Sequence, residues 1–413
     1  MNKVLVIAPF WQTPGHVGNY RIDRFIRWLK NNSYLIYVLR AGKKNEVQKT
    51  DYGVEITKKD YIFIITVTLS NLSNKPFLKI FWYLWRALIL IFSPVDEFFV
   101  WTNKILSGFD FRKYIGDVDL VISTSPPNSS HIAAYKISKK YSIPLITDFR
   151  DGWLDEPLEQ KLAKIRFLRR KEVDWEKTVI THSSKIFVTS ETWKEMLVSR
   201  FSNISEKIKI LTNAYPDFDF LNDTASKDKV SLLYTGRFAG SSKKRSLDLL
   251  LNPLYHILKR NEEEFEITLL SDLRREEFAL FNKWKKEFAS NNIALNLYAH
   301  LPRIKMFEFI NQSSGLLLLS AGYGPLPSKL FEYVKSGKPI FAVTPKKSAV
   351  SQLAEKLPQL FLFDSKSDGE DYTSIIKFLD ACKYGNYEYN IPDEFTENYI
   401  SKFFLREVET VLK

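Results

Sequence analysis

The first 45 residues follow the order strand, loop, amphipathic helix and second strand. The run VLVIAPF is continuously apolar, which is typical of a strand buried on both faces of a parallel sheet. After the loop TPGHVGNY, apolar residues recur at the i, i+3, i+4, i+7 spacing of one helical face, namely Ile22, Phe25, Ile26 and Leu29. The run YLIYVLR predicts the second strand, so this part of the chain predicts a βαβ unit.

The rest of the first half continues this alternation. Apolar runs predict strands at 120–124, 144–147, 186–190 and 207–211. Strands that alternate with helices imply a mostly parallel sheet covered by helices on both faces. In such sheets ligands bind beyond the carboxyl ends of the strands, so we expect the loops 11–18, 124–131 and 148–153 to share one crevice.

A polar, turn-rich stretch without periodicity, residues 213–228, interrupts the pattern. A second alternating pattern follows, with apolar runs at 230–236, 266–271, 293–298, 315–320 and 339–344. The predicted fold class is therefore α/β, with two Rossmann-like doubly wound domains. The expected bounds are an N-terminal domain over 1–215, a linker over 216–229, a C-terminal domain over 230–395 and a final helix over 396–413 that packs back on the N-terminal domain.

Composition narrows the class of partner. The chain has 413 residues and a net charge of +12, which favours nucleic acids, anionic lipids or phosphorylated small molecules as partners. No recognisable nucleic-acid-binding motif accompanies the charge, so nucleic acid is not an expected partner. The single cysteine, Cys382, excludes an internal disulfide and a cysteine-based zinc site and fits the reducing cytoplasm. The first apolar run is short and is broken by Pro9, which predicts a buried strand and not a signal peptide.

Two stretches raise the question of membrane contact. Residues 77–101 are the most apolar part of the chain, but their unbroken run from Ala87 to Phe92 falls short of the roughly 20 residues that a spanning helix needs. The pattern fits an interfacial helix and a core helix equally well. The basic stretch 164–171 could attract anionic lipid or could be a solvated helix face. One expectation is therefore a cytoplasmic protein with peripheral contact at the inner face of the cytoplasmic membrane.

Residues 325–343 form the strongest chemical signal in the sequence. A glycine-containing loop follows an apolar run, and a helix is predicted to begin near Ser328. The N-terminus of a helix offers backbone N–H groups and the positive end of the helix dipole, which suit a diphosphate. Lys329 adds a positive charge there, and the carboxylate of Glu332 could accept two hydrogen bonds from ribose hydroxyls. The alternative is a helix capped by Ser328, with Glu332 in a surface ion pair.

Residues 234–251 repeat the order strand, glycine-containing loop and helix. Arg237, Lys243, Lys244 and Arg245 lie in or just beyond the loop, where backbone amides and cations could hold a departing diphosphate. The loop lacks the G-x-x-x-x-G-K-[ST] spacing of a Walker A motif. Taken alone it could also be a solvated basic loop. Its occurrence beside a second candidate phosphate loop in the same predicted domain favours the binding interpretation.

In the first half of the chain, candidate chemistry follows two predicted strand ends. The segment DFRDGW places Asp148 and Asp151 after a strand, where a carboxylate could orient or deprotonate an acceptor hydroxyl. The alternative is that Asp148 caps the following turn and pairs with Arg150. His131 could donate a hydrogen bond to a substrate or could lie near the surface at a helix start, and His16 in the first loop is the better histidine candidate.

The two C-terminal segments together resemble the donor domain of GT-B glycosyltransferases, in particular the large GT4-type group. The segment SKLFEYVKSGKPI resembles that group's helix beneath the nucleotide sugar, and the Gly-Arg…Lys/Arg arrangement resembles its diphosphate clamp. In the first half, STSPPNSSHIAA and ITDFRDGW resemble the acceptor-domain loops of bacterial surface-polysaccharide transferases. The similarity runs in order from the first strand to about residue 345.

Together with the strand-end argument, the resemblance implies three sets of site residues. The catalytic set is Asp148, Asp151, Arg150 and His16; the donor-binding set is Gly15, Gly18, Arg237, Lys243, Arg245, His300, Pro327, Ser328, Lys329 and Glu332; the acceptor-side set is Ser125, Asn128 and His131. Two positions depart from the family pattern. Gly324 stands where relatives commonly carry the first glutamate of an E-x7-E pair, which usually contacts the transferred sugar, and Arg150 stands where relatives often have histidine.

The resemblance implies transfer of a sugar from a nucleoside-diphosphate donor to a glycan or lipid-linked acceptor in cell-surface polysaccharide biosynthesis, with retention of configuration. We expect no cofactor and no metal, and we interpret Asp217–Asp219 as turn chemistry and not as a D-x-D metal motif. The alternatives are a sugar-nucleotide epimerase of similar fold and a non-catalytic membrane-associated scaffold. Donor turnover without an acceptor would favour the epimerase, and failure to bind any nucleotide would favour the scaffold.

Overall fold

The computed structural model divides the chain into two compact units. The described residues are 1–12, 18–60, 84–85, 95–96, 98–105, 117–155, 166–216, 218–220, 229–238, 246–261, 263–299, 301–320, 322–366, 372–384, 389 and 391–413. Unit 1 comprises Met1–Leu211 with Ser401–Lys413, and unit 2 comprises Thr212–Ile400. Each unit contains its own sheet with helices packed on it, and each is described here by itself.

Unit 1 is built on a sheet with eight strands in the described residues. They are β1 (Lys3–Ile7), β2 (Leu35–Gly42), β3 (Glu46–Lys49), β4 (Gly53–Lys59), β5 (Leu120–Ser125), β6 (Leu145–Phe149), β7 (Lys185–Val188) and β8 (Ile208–Ile210). The order is β3-β4-β2-β1-β5-β6-β7-β8, and only the β3–β4 pair is antiparallel. Because β1 pairs with β2 on one side and with β5 on the other, the strand order reverses between β1 and β5. Their carboxyl ends mark the place where such sheets bind ligands.

Helices pack on both faces of this sheet. They include α1 (Asn19–Asn31), α2 (Phe99–Lys104), α3 (Ser129–Tyr141), α4 (Arg166–His182) and α5 (Glu191–Arg200). The predicted apolar face of α1 is confirmed, since Ile22, Phe25, Ile26 and Leu29 are all buried. The run from Val4 to Ile7 has no exposed surface, as expected for a strand covered on both faces.

Unit 2 is built on a fully parallel sheet with six strands in its described part. They are β9 (Val230–Thr235), β10 (Phe265–Leu270), β11 (Ile293–Tyr298), β12 (Gly315–Leu319), β13 (Ile340–Thr344) and β14 (Leu360–Asp364). The order β11-β10-β9-β12-β13-β14 is the doubly wound order 3-2-1-4-5-6 of dinucleotide-binding sheets. Its helices are α6 (Leu247–Leu258), α7 (Arg275–Ala289), α8 (Arg303–Gln312), α9 (Ser328–Lys335), α10 (Ala349–Gln352) and α11 (Thr373–Tyr384).

The strands β3, β4 and β14 were not among the predicted runs. The sequence of β4, GVEITKK, carries charges because Glu55 is buried in an ion pair with Arg40 of β2, with Nε 2.8 Å from Oε1. A buried charged group is tolerated when it has such a partner. The partner lies on another strand, so the apolar pattern of β4 alone did not reveal a buried strand.

Part of the predicted linker lies in the core of unit 2. Phe218 and Phe220 pack against Phe307 of α8, with ring centroids 4.5 Å and 5.2 Å apart. Just before them, Tyr215 is buried, and its backbone N–H donates to the carbonyl of Phe395 at 2.9 Å. Unit 2 thus begins at Thr212 and runs to Ile400, whereas the predicted boundary lay at 215/216.

The last helix, α12 (Glu397–Leu412), lies mostly in unit 1. Its Phe404 is fully buried and stacks on Phe25 of α1, with ring centroids 4.6 Å apart and an angle of 11° between the rings. Lys185 of β7 donates to Glu407 at 2.8 Å. The helix therefore contacts unit 1 through both an aromatic stack and an ion pair.

Most of the apolar stretch 77–101 lies outside the described residues, so the choice between an interfacial helix and a core helix stays a prediction. Two described residues near its end, Phe99 and Trp101 of α2, are buried in the core of unit 1. Among the helices that the structure describes, none is both long enough and apolar enough to cross a membrane.

A buried ion cluster joins α4, α5 and the segment after β6. Arg200 donates to Asp155 and, at 3.2 Å, to Oε1 of Glu176, whose side chain has no exposed surface. Within the described residues, Oε2 of Glu176 has no hydrogen-bond partner. Burial raises the pKa of Glu176 to about 7, although the charge of Arg200 opposes the shift. Arg200 thus pairs with two carboxylates in the protein interior, where an ionised group raises the free energy of the folded state.

This cluster predicts a pH dependence of stability. The pKa of Glu176 is about 7 in the folded protein and 4.5 ordinarily, so between these values the folded state binds more protons than the unfolded chain. The contribution of Glu176 to the unfolding free energy therefore falls as the pH rises through this window. We expect Glu176→Gln to flatten the decline of the thermal midpoint between pH 4.5 and about 7. Glu195→Gln, on the exposed face of α5, is the control, and an equal slope in all three proteins would contradict the account.

Candidate functional site

The switch point of unit 2 lies between β9 and β12. The carboxyl end of β9 continues into Gly236, Arg237 and Phe238, and the end of β12 continues into the loop that leads to α9. Parallel strands end at the same edge of a sheet, so the two predicted phosphate loops start side by side. This edge brings together the N-terminus of α9 and the backbone that follows β9.

Lys329 of α9 makes the central contact of this edge. Its Nζ donates to the carbonyl of Thr235 at 2.5 Å and lies 4.0 Å from the ring centroid of Tyr234. Gly236 has a φ of +120°, and a Cβ at this position would lie 3.0 Å from Nζ of Lys329. The positive φ therefore favours glycine at this position, and the absence of a side chain leaves room for the ammonium group.

Thr235 is itself held from inside the sheet. The hydroxyl of Tyr333, which is fully buried, accepts from the backbone N–H of Thr235 at 3.0 Å and lies 2.9 Å from its Oγ1. Burial raises the pKa of the Tyr333 phenol, so it stays protonated. Both residues that bond to Thr235 at this strand end, Lys329 and Tyr333, belong to α9.

Arg237 lies at the same strand end, but it is much more exposed than Lys329. Its side chain is 78% exposed and lies 3.7 Å from Asp272, which follows β10. An exposed pair at this distance contributes little, so the guanidinium can turn towards an anion at small cost. The structure therefore places Arg237 and Lys329 beside Gly236, and their binding of a donor stays a prediction.

The N-terminus of α9 is not capped by a serine, although the alternative interpretation of this helix expected such a cap. Pro327 is the N-cap residue and makes no side-chain cap, while Ser328 is the first helical residue. The interpretation of Ser328 as the N-cap is therefore wrong. The first turn of a helix directs backbone N–H groups outward, and those of α9 lie beside Lys329 at the end of β12.

Glu332 lies one turn further along α9, and its partner is Arg303 of α8. Both Nε and Nη2 of Arg303 donate to Oε1, at 3.1 Å and 2.7 Å. The side chain of Glu332 is 12% exposed and that of Arg303 is 34% exposed, so Glu332 is in an ion pair, as the alternative interpretation expects, and the pair is partly buried. Sequence reasoning missed Arg303, because nothing local marks it as the partner of a residue 29 positions later.

In unit 1, Asp148 ends up in a buried ion pair that neither sequence interpretation anticipated. Arg21 of α1 donates through Nε at 2.8 Å and Nη2 at 2.6 Å to the two carboxylate oxygens, and Thr124 adds a third bond at 2.7 Å. Asp148 has no exposed surface. The suggested pairing of Asp148 with Arg150 is wrong, because Arg21 and Thr124 donate to its oxygens. A direct catalytic role of Asp148 stays a prediction.

Arg150 and Asp151 follow on the same strand end. Nε of Arg150 donates to the carbonyl of Ser125 at 2.9 Å, and the carbonyl of Arg150 accepts from Oγ1 of Thr189 at 2.9 Å. Asp151 is half-buried and has no hydrogen bond to any described residue. Burial raises its pKa, while the charges of Arg150 and Arg21 oppose the shift. Asp151 is therefore the candidate carboxylate that remains available here.

The acceptor-side candidates lie at the start of α3. His131 is fully buried, its Nδ1 is 2.8 Å from Oγ of Ser123, and burial lowers its pKa to about 3. The surface interpretation of His131 is therefore wrong. Asn128 is the N-cap residue without a side-chain cap. Oγ of Ser125 is buried and, among the described residues, has no partner.

An internal carboxylate occupies the N-terminus of α3. Asp96 accepts from the backbone N–H of Ser129 at 2.8 Å, from Oγ of Ser129 at 2.5 Å and from the backbone N–H of Phe98 at 3.0 Å. A helix N-terminus is a ready site for an anion, and here the chain supplies the anion itself. Sequence reasoning missed Asp96, because in the sequence it only interrupts the apolar stretch 77–101. The helix start of unit 1 is thus already neutralised, in contrast to that of unit 2.

Several candidates lie outside the described residues, namely Gly15, His16, Lys243, Arg245 and His300, and their roles stay predictions. Gly18 is described, and it lines a small cavity of unit 1 with Thr124 and Arg150. Asp219, from the D-x-D triplet, pairs with Lys335 at 3.3 Å. A search of the described residues for three or more clustered metal-ligating side chains finds none.

Solved structures with the same architecture were found over the whole chain. No protein-family model and no curated protein matches the sequence. The sucrose-phosphate synthase of Thermosynechococcus elongatus superposes with a TM-score of 0.68 at 11% identity, covering 100% of this chain and 99% of that one. The lipopolysaccharide outer core galactosyltransferase WaaB in its apo form gives 0.60 at 15%, covering 99% of both chains. HepE of Anabaena in complex with UDP gives 0.60 at 12%, covering 99% of this chain and 100% of that one.

These likenesses establish the fold. The chain has the two Rossmann-like α/β units of the GT-B glycosyltransferase fold, and the predicted fold class is confirmed. At 11–15% identity the similarity reaches no further than the fold. The chemistry at the end of β9 must therefore be argued from this chain's own residues.

The hydrogen bonds of Tyr333 predict a local stability difference. We expect Tyr333→Phe to lower the unfolding free energy by about 1–3 kcal/mol, because a buried N–H and a buried hydroxyl of Thr235 lose their partner. Tyr234→Phe is the matched control, since the contact of its hydroxyl with the carbonyl of Arg237 is long, at 3.5 Å. Chemical denaturation followed by circular dichroism measures both variants. Equal losses in the two would show that Tyr333 does not fix this strand end.

Proposed function

We propose that the protein is a glycosyltransferase that holds the diphosphate of a nucleoside-diphosphate sugar at the junction of β9 and α9. The observation that carries the proposal is the contact of Lys329 with the Thr235 carbonyl beside Gly236. This contact places the ammonium group of Lys329 beside Gly236 and next to the N-terminus of α9. The glycine backbone lets an anion approach closely, and the ammonium group neutralises its charge.

The chemistry follows from the charge of the leaving group. Breaking the bond between the sugar and the diphosphate leaves negative charge on the diphosphate oxygens. Lys329, Arg237 and the first-turn amides of α9 would stabilise that charge as it develops. Arg237 is exposed and weakly paired, so it can move onto the diphosphate when the donor binds. This arrangement needs no metal and no cofactor.

Glu332 suits the ribose of the same donor. It lies one turn beyond Lys329 on α9, and Arg303 holds one of its oxygens. An oriented carboxylate can accept hydrogen bonds from vicinal hydroxyls. The nucleoside would then run from the end of β9 towards α8, and the transferred sugar would lie on the side of the diphosphate away from Glu332.

The structural neighbours support a choice of donor and acceptor class. HepE was solved with UDP and with UDP-glucose, and WaaB is a lipopolysaccharide outer core galactosyltransferase. We extend this to a UDP-sugar donor and to a glycan or lipid-linked acceptor in cell-surface polysaccharide synthesis, in a reaction that retains configuration. Unit 1 would receive the acceptor, with Asp151 orienting its hydroxyl and Arg150 beside it.

We further propose peripheral contact with an anionic membrane on its cytoplasmic face, which would bring a lipid-linked acceptor to the enzyme. On α4, Arg170 and Lys171 are exposed, and the apolar Val173 beside them is 38% exposed. Basic side chains next to apolar ones suit an anionic lipid surface.

Donor binding gives the main test. In a thermal-shift screen of UDP-, GDP-, ADP- and CMP-sugars, we expect one base to raise the midpoint by mass action. Lys329→Ala and Arg237→Ala should each weaken its binding about 10- to 100-fold, because a hydrogen bond to a charged group contributes about 1.5–3 kcal/mol. Glu332→Ala should weaken nucleoside-diphosphate binding but leave pyrophosphate binding unchanged.

Matched controls remove charge elsewhere in unit 2. Lys335→Ala lies at the other end of α9, and Arg275→Ala lies at the exposed start of α7. Both should bind the responding nucleotide like the parent protein. No response to any nucleotide, or equal losses in controls and site variants, would overturn the assignment. Sugar turnover that needs no acceptor would identify an epimerase instead.

Membrane contact has a separate test with vesicles. Replacing Arg170 and Lys171 by alanine should weaken sedimentation with vesicles of phosphatidylcholine and phosphatidylglycerol about 30-fold, at about 1 kcal/mol for each cation. The control replaces Lys285 and Lys286 on α7, which removes the same charge from unit 2. If the parent protein does not bind these vesicles, or if both double variants lose binding equally, α4 is not the contact surface.

A further inference from the structure

Arg21 occupies an unusual place for a charged residue. It lies in the first turn of α1, is 6% exposed, and makes two hydrogen bonds to the fully buried Asp148. Its guanidinium lies 5.3 Å from the ring centroid of Phe25, which stacks on Phe404 of the C-terminal helix. Aromatic rings on one side and a carboxylate on the other therefore fix its position.

The pair ties several strand ends together. Asp148, on β6, also accepts from Thr124 of β5 at 2.7 Å, and Nη2 of Arg21 donates to the carbonyl of Leu211 after β8 at 2.9 Å. One ion pair thus links α1 to the carboxyl ends of β5 and β6 and to the segment that follows β8. This is the edge at which the switch point of unit 1 lies.

Stability alone does not explain such a pair. A buried ion pair can often be replaced by packed apolar side chains without loss of stability. The position of the pair is informative, because Arg150 and Asp151 follow Asp148 directly along the chain. The contacts that hold Asp148 therefore constrain the strand end from which Arg150 and Asp151 continue.

We propose that Arg21 is a positioning residue for the acceptor-side site: through its two hydrogen bonds to Asp148 it holds the strand end that carries Asp151, the carboxylate offered to an acceptor hydroxyl. The acceptor role of this site rests on the proposed glycosyltransferase function. The link between Arg21 and Asp151 stands independently of it. Asp148 and the Leu211 carbonyl accept the hydrogen bonds of Nε and Nη2 of Arg21, so its proposed role is exerted through Asp148.

The charges around Asp151 determine in which direction its pKa changes when one of them is removed. In the described structure they are Arg150 and Arg21, which lower its pKa, and Asp148, which raises it. His131, on α3, is neutral because burial lowers its pKa to about 3. Arg21 acts more strongly on Asp151 than Asp148 does, so removing Arg21 raises the pKa of Asp151 even if Asp148 then takes up a proton.

The test is an NMR titration of Asp151 in the full-length protein labelled with ¹³C at the aspartate carboxyl carbon, with Asp151→Asn to assign the signal. Arg21→Gln should move the Asp151 titration to higher pH, and Arg21→Lys, which keeps the charge, should leave it close to that of the parent protein. Asp148→Asn should move it in the opposite direction, to lower pH. A purely structural role for Arg21 would lower stability without these opposite shifts.

Arg27→Gln is the matched control, since it removes the same charge from the exposed face of the same helix. An unchanged Asp151 titration in Arg21→Gln, or an equal shift in Arg27→Gln, would overturn the proposal. If Arg21→Gln does not fold, the shift to lower pH in Asp148→Asn decides it. Binding of UDP, measured on the same samples, should be unaffected by all of these changes. Loss of nucleotide binding in the parent protein would defeat the proposed function and leave the titration result valid.

Discussion

The ammonium group of Lys329 on the carbonyl of Thr235 is the interaction on which the candidate site depends. The positive φ of residue 236 favours glycine, which also leaves room for Nζ. The interaction also requires a fixed strand end, which Tyr333 provides from the same helix. The helix that brings the cation therefore also holds its backbone partner, and the site is built largely before any ligand arrives. Preorganised positive charge of this kind is what a departing diphosphate needs.

The two units carry different charges at the point where the strand order of their sheets reverses. Each has a doubly wound sheet whose strand order reverses, with a helix beginning beside the reversal. In unit 1 the chain fills that place with its own charges, Asp96 at the start of α3 and the pair of Arg21 with Asp148 at the strand ends. In unit 2 it places Lys329 and Arg237 there. This difference in charge is the reason that the donor site is proposed in unit 2 and not in unit 1.

The sequence was sufficient to predict features that depend on neighbouring residues, and insufficient for ion pairs between residues that are distant along the chain. Apolar spacing sufficed for α1 and for the central strands, because a buried face needs only its own residues. The glycine-containing loops could be found because short-range backbone geometry demands those residues. Arg21 could not be matched with Asp148, nor Arg303 with Glu332, since each pair lies on separate elements brought together only by the fold. For the same reason His131 was expected near the surface although it is buried.

Hydrogen–deuterium exchange with and without nucleotide tests the central claim most directly. UDP, GDP, ADP and CDP would be compared in turn on the full-length protein. The account predicts that one of them slows exchange at the backbone amides of 236–238 and in the first turn of α9, while the start of α3 in unit 1 keeps its own rate. Protection centred on α3, or no protection at the end of β9 under saturating nucleotide, would contradict it.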